Sequence, residues 1–290
     1  MLITCIVIIL ILVLIFTKPK ITVTSLRNKI TEAKNKLSTF TRKICKIDYP
    51  IYYINMDKNL DRRKRIEEDL FSIQAQSKRI RGFNGYKIQN TNHDIVDGIE
   101  FFNSYSSLTR GEIGCLLSHL ITIQTAWDNG DAIALVCEDD VSFFTCQFAP
   151  SLNKVVQNVP TDWGILQLYA GSQKNCKNKV IQYIPRQDEW SCSCYFISRK
   201  GMKQILSVVK KNNNPNQFHI VPKIQTVEEK IPHRGEADYY LYGLATTYVV
   251  SPNLLFPDNI SNTSTLHTNH NKIHLNEELR SYNILINFLS

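Results

Sequence analysis

Ala132-Ile-Ala-Leu-Val-Cys-Glu-Asp-Asp140 sets six apolar side chains directly before three carboxylates. The apolar run does not alternate, which is the pattern of a strand buried on both faces of a sheet. Asp128-Asn-Gly-Asp131 ahead of it is turn-forming, so the strand begins at a turn and stops on acids. In open α/β sheets the ligand crevice lies outside the carboxyl ends of strands, and the three acids stand at such an end. Carboxylates this crowded repel one another unless a cation neutralises them. Hard oxygen ligands suit Mn2+ or Mg2+, which keep open positions for phosphate oxygens. A solvated acidic turn is the plain alternative, but such turns rarely abut so apolar a strand.

Just upstream, Thr109-Arg-Gly-Glu112 fits a capping box and predicts a helix to about Trp127, with Ser118 and His119 on it. A lone helical His is more often a packing residue than a catalyst. Cys115 and Cys137 sit in apolar runs and read as small buried hydrophobes. Further upstream, Ile51–Asn55 reads as a first strand, followed by a helix from about Asp61 to Ile73. Arg62, Arg63, Lys64 and Arg65 open that helix with the wrong charge for its dipole. Two readings stay open: a diphosphate held by the helix start and arginine forks, or a solvated face paired with Glu67, Glu68 and Asp69. Strands alternate with helices and no repeat is present, so residues 47–290 are expected to form one α/β layered domain.

The termini differ in character. Residues 1–17 hold the apolar run Leu2–Phe16, roughly 22 Å as a helix, and are expected to be an uncleaved membrane anchor because no small-x-small cleavage pattern follows. Residues 18–46 form a basic stalk, with nine Lys and Arg against Glu32 alone, read either as a solvated, partly helical linker or as a segment drawn to anionic lipid. That stalk carries the whole formal charge of +8 and leaves the body neutral, which argues against a nucleic-acid partner. The positive-inside rule would keep the body cytosolic, whereas the sequons at Asn259 and Asn262 are usable only in a lumen. In a lumen, Cys176 could pair with Cys192 or Cys194. His267, His270 and His274 lie in an Asn-rich polar stretch and read as loop residues, and a docked amphipathic helix is expected from about Leu275.

Five motifs in order, Ile51-Tyr-Tyr-Ile-Asn-Met-Asp57, Asp61-Arg-Arg63, Arg81-Gly-Phe-Asn-Gly85, Leu108–Cys115 with Ser118-His119, and Leu135–Val141, together resemble glycosyltransferase family 25. Ser193–Arg199 and Glu236–Leu241 resemble it more loosely. The resemblance implies an A-type glycosyltransferase fold, a Rossmann-like mixed sheet flanked by helices, with a UDP-sugar donor and inverting transfer of galactose or glucose to a hydroxyl of a glycan or hydroxylysine-type acceptor. It makes Glu138-Asp139-Asp140 the counterpart of a DxD motif. Asp140 is then the direct ligand of Mn2+ or Mg2+, and Glu138 or Asp139 contacts metal or ribose. Asn55, Asp57, Arg62, Arg63, Asp139 and His119 would serve the nucleotide sugar.

Inversion in one displacement also needs a base opposite the leaving group. Asp238 is the candidate and Glu236 the reserve, against a plain reading of Asp238 as a helix N-cap. Two rivals remain: a catalytically inactive binding module of the same fold, and a metal-dependent phosphodiesterase, which would need further carboxylates or histidines around the metal.

Overall fold

The computed structural model describes residues 22–105, 107–171, 180–187, 189–212, 214–221, 235–257 and 271–290. The anchor Leu2–Phe16, Cys176, the sequons at Asn259 and Asn262, and His267 and His270 lie outside them. Among the described residues no helix is long and apolar enough to cross a membrane.

The chain runs through α1 (Val23–Leu37), β1 (Ile51–Asn55), α2 (Leu60–Ser72), β2 (Ser77–Arg81), β3 (His93–Val96), β4 (Ile99–Asn103), α3 (Arg110–Asp128), β5 (Ile133–Glu138), β6 (Val141–Ser142) and α4 (Leu152–Gln157). It continues through β7 (Ile165–Gln167), β8 (Gln182–Pro185), β9 (Cys194–Ser198), α5 (Arg199–Val209), β10 (Gln217–Ile220), α6 (Ala237–Leu244), β11 (Thr247–Ser251), β12 (Phe256–Pro257) and α7 (Asn271–Leu289). Seven strands form the main sheet in the order β2-β1-β5-β9-β7-β11-β8. β1 lies parallel to β2 and β5, and β9 antiparallel to both β5 and β7, so the sheet is mixed and flanked by helices, as expected. Successive side chains of a strand point to opposite faces. Tyr52, Ile54, Ala134 and Val136 therefore enter the core beneath α3, α5 and α6, while Ile51, Tyr53, Leu135 and Cys137 enter the core beneath α2 and α4. Both faces being covered explains why β5 reads as an unbroken apolar run.

β3 and β4 form a hairpin turned by Asp97 (φ 50°) and Gly98 (φ 81°), the two left-handed residues of a two-residue turn, and β10 pairs with β4. Asp97-Gly98 is the local sequence signal for such a turn.

The basic stalk, read as a solvated, partly helical linker or as a segment drawn to lipid, is helical over Val23–Leu37 but docked on the body rather than solvated all round. Leu26, Ile30, Ala33 and Leu37 repeat at helical spacing and are buried against Leu275, Tyr282, Leu285 and Ile286 of α7, with Phe148, Tyr169 and Phe256 completing the cluster. Lys29 and Lys36 remain on the outer face. α1 is thus held by the same apolar burial that docks the expected tail helix. Cys45 and Cys146 form a disulfide with a Cα–Cα separation of 5.5 Å, tying the segment before β1 to the region after β6. Cys192 and Cys194, considered as partners of Cys176, are free thiols buried beside β5.

Candidate functional site

Pairing of β1 with β5 puts Ile54 opposite Glu138, so the two strands deliver Asn55 and Asp139 to one place. The Asn55 amide donates to Asp139 Oδ2 at 2.7 Å. α2 starts immediately beyond and aims two of its four cations at the same acids. Arg62 Nε lies 3.0 Å from Asp139 Oδ1 and Arg62 Nη2 lies 2.6 Å from Asp140 Oδ2, while Arg65 donates to the Asp139 carbonyl at 3.1 Å. The other two turn along the helix surface, Arg63 to Glu67 at 2.9 Å and Lys64 to Glu68 at 3.9 Å. The reading of a solvated face paired with acids thus describes Arg63 and Lys64, whereas Arg62 and Arg65 face the acidic run.

Asp57 stands apart from the acids. Arg79 and Arg81 hold its carboxylate at 2.6 Å each, and the hydrogen bond from Arg79 leads in keeping it below the usual carboxylate range.

The three acids have unequal surroundings. Burial pushes Asp140 up to about 7, with Arg62 opposing and Glu138 and Asp139 reinforcing the shift. Its Oδ1 is buried with no hydrogen-bond partner. A buried carboxylate oxygen left unsatisfied is costly, and coordination to a cation would satisfy it. Burial also raises Asp139. Glu138 goes the other way: burial would raise it, but the hydrogen bond and charge of His119 hold it below its ordinary value. The acidic run thus divides, with Asp139 and Asp140 facing Arg62 and Glu138 facing α3.

On α3, His119 is buried, with Nδ1 3.0 Å from the Tyr195 hydroxyl and Nε2 3.3 Å from Glu138 Oε1. Burial alone would lower its pKa, yet Cys115 and Glu138 carry it up to about 9. Cys115 lies one turn before His119, and its Sγ is 3.9 Å from Glu138 Oε1; Cys192 Sγ approaches the same oxygen at 3.6 Å. Cys115 thus packs against the core, as expected, and also faces the site, and its i, i+4 spacing to His119 was the signal for the second role. The start of α3 comes close because Gly114 packs on the backbone of Gly85, where any side chain would collide.

Two cavities meet here. One, of about 110 Å³, is lined by Met56, Lys58, Asn59, Arg62, Tyr86, His119 and Asp139 among others. The second, of about 420 Å³, is lined by Glu112, Trp190, Ser191, Glu236, Asp238, Tyr239 and His274 among others. Cys115 and Glu138 line both. Asp238 lies in the first turn of α6, accepting from Ser191 N at 2.8 Å and Tyr239 N at 3.0 Å; Glu236, not Asp238, occupies the N-cap position. His274, expected in a loop, lies on α7 and meets the Trp190 ring edge-on at 5.6 Å.

Residues 48–220 match the family described as glycosyltransferase family 25 (LPS biosynthesis protein). The chain is 26% identical over 251 residues to procollagen galactosyltransferase 1 of Danio rerio, an alignment covering 80% of this chain and 40% of that one. It is 34% identical over 170 residues to procollagen galactosyltransferase 2 of Mus musculus, covering 54% and 27%. It is also 26% identical over 143 residues to inactive glycosyltransferase 25 family member 3 of Homo sapiens, covering 47% and 24%. The chain thus spans at most 40% of the length of these relatives. With the matched segment running from β1 through β10 and enclosing the acidic run and α3, the chain belongs to glycosyltransferase family 25.

Proposed function

We propose that the chain transfers a hexose, galactose or glucose, from a UDP-sugar to a hydroxyl of a glycan or hydroxylysine-type acceptor, with inversion and with a bound Mn2+ or Mg2+. The observation that carries this reading is the meeting of two cavities at the carboxyl end of β5, since a group-transfer enzyme must hold donor and acceptor on either side of one reacting bond. The smaller cavity, beside Arg62 and Asp139, takes the diphosphate side of the donor; the larger, beside Asp238, takes the acceptor. Relatives named for procollagen and galactose favour galactose and a protein hydroxyl.

Asp139 and Asp140 fit a hard divalent cation, given two carboxylates at a strand end and the unpartnered Asp140 Oδ1. When bound, such a cation supplies charge neutralisation to the leaving diphosphate. The protein's own part follows from its side chains. Asn55 holds Asp139 in place, and Arg62 brings a guanidinium to the edge of the donor cavity, where negative charge develops as the sugar–phosphate bond breaks. Asp238 accepts the proton of the acceptor hydroxyl as its oxygen bonds to the sugar carbon, and the bonding electrons of the broken bond leave with the diphosphate. Glu236, on the same cavity wall, is the reserve base. The Cys45–Cys146 disulfide supports an oxidising compartment for the body, with Leu2–Phe16 as its membrane anchor.

The test is a turnover and binding panel of UDP-sugars with collagen-like and glycan acceptors, with Mn2+ or with chelator. Cation-dependent transfer from one UDP-sugar is expected. Binding of a UDP-sugar without transfer to any acceptor would make the chain an inactive module, a reading favoured by its likeness to three relatives named inactive or probable inactive family members. No binding of any UDP-sugar to the folded chain would overturn both.

A further inference from the structure

We infer that Cys115, His119, Glu138 and Cys192 form a zinc-class metal site, separate from the hard-cation site of Asp139 and Asp140, that locks the wall between the two cavities. Each of these four residues presents one ligand atom, and the four atoms lie within 4.8 Å of one another. Tetrahedral zinc, with about 2.3 Å to sulfur, about 2.05 Å to nitrogen and about 2.1 Å to oxygen, has edges of about 3.4 Å between nitrogen and oxygen and about 3.6 Å between sulfur and oxygen. The observed edges to Glu138 Oε1 are 3.3 Å from His119 Nε2, 3.6 Å from Cys192 Sγ and 3.9 Å from Cys115 Sγ. The His119 edge is longer than an ordinary N–H···O hydrogen bond and agrees with the tetrahedron. Two thiolates and an imidazole also select a soft or borderline cation over Mn2+ or Mg2+, so two different cations can sort between adjacent sites by ligand chemistry.

The surroundings orient the ligands. Tyr195, fully buried, meets Nδ1 of His119 at 3.0 Å, the outer contact that leaves Nε2 for a metal. Cys192 follows Ser191, whose φ of 91° is rare for a residue with a side chain. That conformation is held by Gln167 and Tyr242 donating to its carbonyl at 2.8 and 2.9 Å, and by Asp238 accepting from its amide at 2.8 Å. Strain over-determined in this way marks functional positions, and here it aims one thiol at the cluster. The protein also carries a disulfide at Cys45–Cys146, while Cys115 and Cys192, whose sulfurs lie within 4.8 Å of each other, are free thiols. Metal coordination would protect them in an oxidising compartment. With four protein ligands the site is closed and structural, and it joins α3, the end of β5 and the segment before β9.

The test is metal analysis of the full chain by mass spectrometry, followed by cobalt substitution and visible spectroscopy. About one zinc per chain is expected, and Co2+ should give tetrahedral bands with a thiolate-to-cobalt charge-transfer band. Cys115→Ser and Cys192→Ser should each weaken that band, and both thiols should resist alkylation until a chelator is added. Asp140→Asn, which removes the oxygen assigned to the donor cation, should keep its zinc. Absence of stoichiometric zinc or cobalt from the folded wild-type chain would overturn the site. So would loss of zinc in Asp140→Asn alone, or a Cys115–Cys192 disulfide detected by mass. None of these readouts depends on transferase activity, so this site and the proposed function can fail separately.

Discussion

The side-chain amide of Asn55 donates to the Asp139 carboxylate at 2.7 Å, joining the ends of two parallel strands that are 84 residues apart in the chain. Arg79 Nε in turn donates to Asn55 Oδ1 at 3.0 Å, so the amide bridges a cation to a buried acid. Asn55→Ala leaves both partners short of a contact and should cost about 1–3 kcal/mol of stability in denaturant unfolding. Asn55→Asp puts a second carboxylate against Asp139 and should cost more. Equal stability of the two variants would show that the bridge does not hold Asp139.

Asp140→Asn keeps the shape of the side chain and removes its charge. The variant should fold and lose cation-dependent transfer by about 100-fold or more. Near-normal turnover with wild-type dependence on the divalent cation would remove Asp140 from the cation site.

Asp238→Asn should keep donor affinity, measured by calorimetry, while transfer falls by about 10² to 10⁴-fold. A collapse of donor affinity would instead place Asp238 on the donor side. Comparison with Glu236→Gln separates base from reserve, because only loss of the base should cost the full factor in transfer at unchanged donor affinity.

Breaking the Cys45–Cys146 bridge frees a loop spanning 101 residues. Cys45→Ser should lower stability by about 2–5 kcal/mol and make the melting temperature insensitive to reductant. A melting temperature unchanged by the substitution would show that the packing of the segment before β1 suffices without the bond.

Lys210 donates to the carbonyls of Pro215 at 2.6 Å and Gln217 at 2.9 Å and lies over the Phe218 ring. Burial pulls its pKa from 10.5 down to about 8. Between those values the unfolded chain holds a proton that the folded chain gives up, so this group adds stability as pH rises from about 8 toward 10.5, and its full penalty stands below 8. Urea unfolding across pH 7.5–10 should show that rise for the wild type and a flatter profile for Lys210→Met. Identical slopes would mean that Lys210 titrates normally.

Much of this protein was legible locally. The strand Ile133–Glu138 announced itself as an apolar run ending on acids, and Thr109 and Glu112 form the expected capping box, with Glu112 N on Thr109 Oγ1 at 3.3 Å and Thr109 N on Glu112 Oε2 at 2.8 Å. The helix Leu60–Ser72 lies within a residue of its expected bounds. These features rest on spacing within one or two turns, and a single chain carries such spacing in full. Tertiary structure alone decided how the acidic run divides, since Asp139 and Asp140 answer Arg62 across 77 and 78 residues while Glu138 turns to His119, Cys115 and Cys192. It likewise decided that Cys45 meets Cys146 and that the basic stalk buries one face on α7. A carboxylate's partner is set by which side of a strand end it leaves and by which helix packs there, and neither leaves a trace in local spacing. The sequence therefore determined where the acids stand and which chemistry they suit; packing determined which side chains each of them faces.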